Sequence, residues 1–121
     1  MMNPFLQVAV GGAIGSVARF GLYRAIPVQG FPLATLLVNV LGSLVMGLLA
    51  ALLAQRGGDW APLLLTGILG GFTTFSAFSL DSLTLWERGQ GTAMALYVAA
   101  SVLLSLGAVF AGLTAGRGLF A

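Results

Sequence analysis

Three short polar breaks divide the chain into four long apolar stretches, and this division limits the possible folds more than any other feature. The stretches cover about residues 4–22, 32–54, 60–86 and 92–115. A helix needs about 20 apolar residues to cross a hydrocarbon core about 30 Å thick. Only 7% of the 121 residues are charged, against about 25% in soluble domains. We therefore predict an all-α membrane protein with four transmembrane helices in one domain, residues 1–121.

The arginines in the breaks give almost no preferred orientation in the membrane. An even number of spans places both termini on one side, together with Arg56 and Arg117, while Arg24 and Arg88 lie on the other side. Orientation normally follows an excess of basic residues on the cytoplasmic side. Two interpretations remain open: the first helix alone sets one orientation, or copies insert in both orientations and pair antiparallel.

The residue types that are missing exclude most enzyme chemistry. The chain has no Cys, His or Lys, which removes thiolate and imidazole metal sites, disulfides and a P-loop lysine. The three acidic residues, Asp59, Asp81 and Glu87, are not spaced as a catalytic pair. A net charge of +2 is too small for a nucleic-acid-binding surface. We predict that the protein is not an enzyme and has no nucleic-acid partner.

Two of the predicted helices carry a narrow polar stripe with a four-residue spacing, which keeps its members on one helical face. The stripes consist of Thr35, Asn39 and Ser43 in the second span and Tyr97, Ser101 and Ser105 in the fourth. Such residues form interhelical hydrogen bonds worth about 1 kcal/mol each. Two matching stripes also provide the chain of donors that a dehydrating ion requires.

The third span contains residues that disfavour a continuous helix in its middle. Gly70 and Gly71 are followed by Thr73 and Thr74; glycine weakens helices, and Thr side chains bond local backbone instead. We predict a helix broken at mid-membrane, between about Gly70 and Thr74. Its freed carbonyls would suit a dehydrated monovalent cation; a simple packing kink is the alternative.

Two phenylalanines follow this predicted break at a spacing that places them on one face. The edges of the Phe75 and Phe78 rings carry the positive part of the ring quadrupole and can face an anion. Ser76, between them, is a candidate donor. The alternative is that both rings only fill the core.

The stretch 70–78, GGFTTFSAF, resembles the bacterial fluoride channel family, Fluc, also called CrcB. Residues 11–20, GGAIGSVARF, and 35–43, TLLVNVLGS, resemble its first- and second-helix motifs. The polar residues of the fourth span fall where that family carries polar residues. The resemblance covers all four predicted spans.

This resemblance implies an antiparallel, dual-topology homodimer in the bacterial inner membrane. Each dimer would have two pores that let fluoride leave the cytoplasm passively and so lower its toxicity. The predicted pore residues are Phe75, Phe78, Asn39, Ser76, Tyr97, Ser101, Ser105 and, in the vestibule, Arg19. The main-chain oxygens of Gly70 and Thr73 match positions that hold a structural Na⁺ at the dimer interface. Asp81 stands where the family more often has Glu, and Ala77 where it often has Thr.

Two other classes of function remain as alternatives. A proton-coupled transporter of the small multidrug-efflux type also has four helices, but it needs a carboxylate inside the membrane. Asp81 is the one acidic residue within a predicted span, and it lies close to the Glu87 break. A non-conducting membrane scaffold would explain the many glycines but not the two polar stripes.

Overall fold

The computed structural model describes residues 2–27 and 30–121, and its regular elements are helices. They are α1 (Pro4–Ala25), α2 (Leu33–Arg56), a π-helical segment (Pro62–Leu69), α3 (Gly70–Phe72), α4 (Phe75–Glu87) and α5 (Gly91–Phe120). Within the described residues, four passages are long and apolar enough to cross a membrane: Pro4–Ala25, Leu33–Arg56, Pro62–Glu87 and Gly91–Phe120. The prediction of an all-helical chain with four such helices is confirmed.

The four described passages all extend past the C-terminal ends that the sequence pattern indicates, α1 and α5 furthest, and α2 to Arg56 in place of about residue 54. The first apolar stretch ends near residue 22, but α1 continues to Ala25; the last ends near residue 115, but α5 continues to Phe120. Arg24 and Arg117 lie in the last turns of these helices. A positive charge interacts favourably with the carbonyl end of a helix, so these arginines belong to the helices and do not end them.

Helix α1 packs directly against the π-helical segment and α3 through glycines. Gly11 and Gly15 are buried, and a Cβ atom at Gly11 would lie 2.9 Å from the Cα of Gly67. A Cβ at Gly71 would lie 2.7 Å from the carbonyl oxygen of Gly12. The two backbones are therefore in contact, as expected for helices whose association rests on close packing.

A second glycine-lined crossing joins α2 and α5. A Cβ atom at Gly112 would lie 3.1 Å from the Cα of Gly47, and one at Gly116 would lie 2.7 Å from the Cβ of Ala51. Helix α2 also lies against the third passage, since a Cβ at Gly42 would overlap the side-chain methyl group of Thr73. The pair formed by α1 and the third passage therefore meets the pair formed by α2 and α5 beside Thr73.

The third passage changes its winding twice. Its first part is a π-helix, in which the N–H of Gly70 donates to the carbonyl of Leu65, five residues earlier. Gly70 itself has helical dihedrals, φ −63° and ψ −36°. Thr73 (φ −85°, ψ 158°) and Thr74 (φ −151°, ψ 121°) are extended, and α4 starts at Phe75. The glycine pair remains helical, and the extended residues are the two threonines, which we call the interruption.

Candidate functional site

The side chain of Asn39 in α2 binds both backbone groups of Thr74. Its Oδ1 atom accepts the Thr74 N–H at 2.8 Å, and its Nδ2 atom donates to the Thr74 carbonyl at 3.0 Å. A buried backbone group without a partner is costly. Asn39 therefore supplies the hydrogen bonds that a neighbouring strand would supply, and it stabilises the extended conformation at Thr74.

Two further side chains complete the hydrogen bonding around the interruption. Arg19 of α1 donates from Nε to the carbonyl of Gly71 at 3.1 Å, which places a positive charge at the carbonyl end of α3. Thr74 caps the next helix, because its hydroxyl accepts the N–H of Ala77 at 3.2 Å. The Ser76 hydroxyl lies 3.2 Å from the same Thr74 oxygen.

These bonds take the usual donors away from two particular carbonyls. In a continuous α-helix the Gly70 carbonyl would accept the N–H of Thr74, but that N–H donates to Asn39. The Thr73 carbonyl would accept the N–H of Ala77, which donates to the Thr74 hydroxyl. Gly70 and Thr73 are the residues that the resemblance implies as sodium ligands through their main-chain oxygens, and carbonyls without helical donors are chemically suited to a monovalent cation.

A groove of about 470 Å³ lies beside the interruption, between α2, α4 and α5. Five of the predicted pore residues line it: Asn39, Phe75, Phe78, Ser101 and Ser105. The other lining residues are Gly42, Ser43, Met46, Thr73, Thr74, Val102, Leu106 and Val109. None of the described residues along the groove is charged, so its polarity comes from hydroxyl, amide and backbone groups.

The two serines of α5 are unusual within this groove. The hydroxyl oxygens of Ser101 and Ser105 are buried, yet neither has a hydrogen-bond partner among the described residues. Ser101 is only 7% exposed. Buried polar groups are nearly always bonded to protein, water or a ligand. Both hydroxyls can therefore donate a hydrogen bond to water or to a ligand in the groove.

Tyr97, the third member of the α5 stripe, lies next to the groove but not along it. Its side chain is fully buried, and its hydroxyl donates to Oδ2 of Asp81 at 3.0 Å. Its ring centroid lies 5.4 Å from that of Phe78, which in turn lies 5.4 Å from that of Phe75. Phe31 packs edge-on against Tyr97 at 5.6 Å. The four rings form an aromatic row that begins at the groove and runs beyond it.

The α2 stripe also divides into separate roles. Thr35 is buried and its hydroxyl pairs with that of Tyr23 at 2.9 Å, whereas Asn39 binds the interruption and Ser43 lines the groove. Tyr23 and Gln7 form buried or half-buried contacts that the polar stripes do not indicate. Gln7 precedes Gly11 and Gly15 at the same four-residue spacing, and this spacing was the signal for its burial.

Comparison with known proteins assigns the chain to a family. The sequence model of CrcB-like protein, Camphor Resistance (CrcB), matches residues 6–113. A protein named fluoride-specific ion channel FluC from Paracoccus denitrificans is 64% identical, and one from Cereibacter sphaeroides is 52% identical, both over the full length of both chains. A FluC protein from Rhizobium etli is 52% identical over 98% of this chain and 99% of its own length.

These relatives are named as ion channels, which is a non-enzymatic function and agrees with the exclusion of enzymes from composition. Since residues 2–27 and 30–121 contain four helices able to span a membrane, the chain is a multi-pass membrane protein. The match of the family model to most of the sequence and the full-length identity to several relatives lead to one conclusion: this chain belongs to the CrcB family.

Proposed function

We propose that the protein is a passive, fluoride-selective channel, and the observation that carries the proposal is the uncharged groove with two unpartnered serine hydroxyls. Conduction needs sites that replace an ion's hydration yet bind weakly enough to release it. Hydroxyl and amide donors meet both needs, whereas a fixed charge in the groove would retain a small anion. The names of the full-length relatives support fluoride as the ion.

The residues of the groove would bind an anion through different groups. Ser101 and Ser105 donate from their hydroxyls, and Asn39 has a second Nδ2 hydrogen besides the one bonded to Thr74. Phe75 and Phe78 offer their positive ring edges. Ser76 adds a hydroxyl beside the groove, and the guanidinium of Arg19 attracts anions towards it. Tyr97 donates its one hydroxyl proton to Asp81, so it contributes through its ring, which packs against Phe78.

The working unit would be an antiparallel homodimer in the bacterial inner membrane, with two pores. Phe75 is 78% exposed in the single chain although it lies beside the interruption, which supports its being covered by a second copy. The balanced arginines support insertion in both orientations. Tags on the C-terminus should be found on both sides of the membrane in one population; a uniform orientation would contradict this assembly.

A structural Na⁺ would bind the carbonyl oxygens of Gly70 and Thr73, where it neutralises the partial negative charge of carbonyls that lack helical donors. Because these ligands are main-chain atoms, Thr73→Ser should leave flux within about twofold of wild type. Prolonged removal of sodium should lower activity slowly without changing the reversal potential. A reversal potential that follows the sodium gradient would show that the ion is transported and not structural.

The direct test is fluoride efflux from liposomes that contain the purified protein. With a potassium ionophore to balance charge, efflux should proceed without ATP or a pH gradient, and chloride should leave far more slowly. Proton-coupled drug transport would indicate an efflux transporter instead, although the carboxylate of Asp81 is engaged by Tyr97. The absence of any flux would indicate a non-conducting scaffold.

A further inference from the structure

The π-helical segment is long for its kind. It covers eight residues, Pro62–Leu69, whereas π-helical hydrogen bonding is rare and usually limited to a single turn within an α-helix. A winding of this length needs support from its surroundings. The backbone of α1 contacts one side of it through Gly11 and Gly15.

The same face of α1 also supplies a hydrogen-bond acceptor. The side chain of Gln7 is only 1% exposed, and its Oε1 atom accepts the backbone N–H of Leu63 at 3.2 Å. Its Nε2 atom donates to the carbonyl of Met2 at 2.9 Å. The first N–H groups of any helix lack intrahelical partners. The N–H of Leu64 donates to the carbonyl of Trp60 at 2.9 Å, whereas the N–H of Leu63 donates to the Gln7 side chain.

The winding of this segment decides where the interruption lies. A π-helix has more residues per turn than the 3.6 of an α-helix, so rewinding eight residues would rotate everything that follows by a large fraction of a turn. Gly71 would then lose its alignment with Arg19, and Thr74 its alignment with Asn39. Asn39 and Thr74 both line the groove, so its shape depends on their contact.

We propose that Gln7 is a positioning residue of the channel: by binding the N–H of Leu63 it holds the π-helical winding and thereby the rotational position of the interruption. Gln7 lies outside the groove and touches no transported ion. The inference rests on the proposed function in so far as flux is one of its readouts.

The test compares Gln7→Met, which keeps the length but removes the amide, with Gln7→Glu, which keeps an acceptor oxygen for Leu63. The second carboxylate oxygen of Gln7→Glu faces the carbonyl of Met2, but Met2 precedes α1 and can turn away, unlike Thr74 opposite Asn39. Gln55→Met, at an exposed position near the end of α2, is the matched control. Fluoride current through single channels and the fluoride-to-chloride flux ratio are measured in bilayers. We expect the current and the flux ratio both to fall about tenfold in Gln7→Met. Gln7→Glu should recover most of this loss, and the control Gln55→Met should show no loss.

A purely stabilising role gives a different result. Gln7→Met would then yield fewer active channels, each with wild-type current and selectivity, and this outcome would overturn the proposal. If Gln7→Met does not assemble, a backbone ester at Leu63, which removes the same N–H, takes its place with the same expected and contrary results.

Amide hydrogen exchange over residues 63–69 separates this inference from the proposed function. Exchange should be faster in Gln7→Met than in wild type and close to wild type in Gln7→Glu. If wild-type protein passes no fluoride, the proposed function is wrong, whatever the exchange rates are. If exchange in Gln7→Met equals that of wild type, the role of Gln7 is wrong, whether or not the protein passes fluoride.

Discussion

Replacing Asn39 by alanine should reduce fluoride flux by about two orders of magnitude while the chain still inserts into the membrane. The substitution leaves the N–H and the carbonyl of Thr74 without their partners. A fully buried, unsatisfied backbone group costs about 1–3 kcal/mol, and Thr74 is half-buried, so the loss is a large part of this cost for each group. We therefore expect the interruption to move away from its extended conformation. Flux of fluoride from proteoliposomes, normalised to incorporated protein, is the measurement.

The matched control for Asn39 is Ser43→Ala, one turn later on the same stripe and along the same groove. It removes one hydroxyl without touching Thr74, so we expect a loss of less than about fivefold. Asn39→Asp keeps the acceptor for the Thr74 N–H, but its second carboxylate oxygen would face the Thr74 carbonyl oxygen and repel it. We therefore expect Asn39→Asp to be nearly as inactive as Asn39→Ala. Wild-type flux in Asn39→Ala would show that the interruption does not depend on this amide.

Gly15→Ala should strongly destabilise the folded protein. A Cβ atom at Gly15 would overlap the carbonyl oxygen of Ile68 and lie 2.8 Å from the amide nitrogen of Phe72. Because the obstacles are backbone atoms, no rotamer change relieves them, and α1 must separate from the third passage. Overpacking of this kind costs about 3 kcal/mol or more.

Gly12→Ala is the control for this prediction, since a Cβ atom at Gly12 would meet nothing within 4 Å. Gly12 lies in the same helix, so both variants share the same change in helix propensity. The thermal midpoint of the purified protein in detergent should fall sharply, or the protein should aggregate, only for Gly15→Ala. Equal midpoints for the two variants would contradict the close contact of α1 with the π-helical segment.

The helices were predictable because hydropathy and helix length are local properties. The bilayer imposes a fixed length on an apolar span, and short polar breaks mark the spans directly. The ends were less predictable, as α5 shows: the apolar pattern stops near residue 115, but backbone hydrogen bonds continue to Phe120. Arg117 ends the apolar pattern but not the helix, because a basic side chain is favourable in the last turn.

The site was harder to read because its hydrogen bonds join residues far apart in the chain. Spacing alone grouped Asn39 with Ser43 and Tyr97 with Ser101, but it did not indicate that Asn39 would bind Thr74 or that Tyr97 would bind Asp81. The glycine pair suggested where the helix weakens, yet Gly70 stays helical. The π-helical winding has no local signature, because contacts from α1 support it.

The zero-current voltage of the purified protein in a planar bilayer tests the central claim most directly. With a tenfold gradient of fluoride, equal chloride and sodium, and the same pH on both sides, a passive fluoride-selective channel should reverse near the fluoride equilibrium potential, about 59 mV. Imposing a pH gradient or a sodium gradient should not shift this voltage. A reversal potential near zero in the fluoride gradient, or one that follows protons or chloride, would contradict the account.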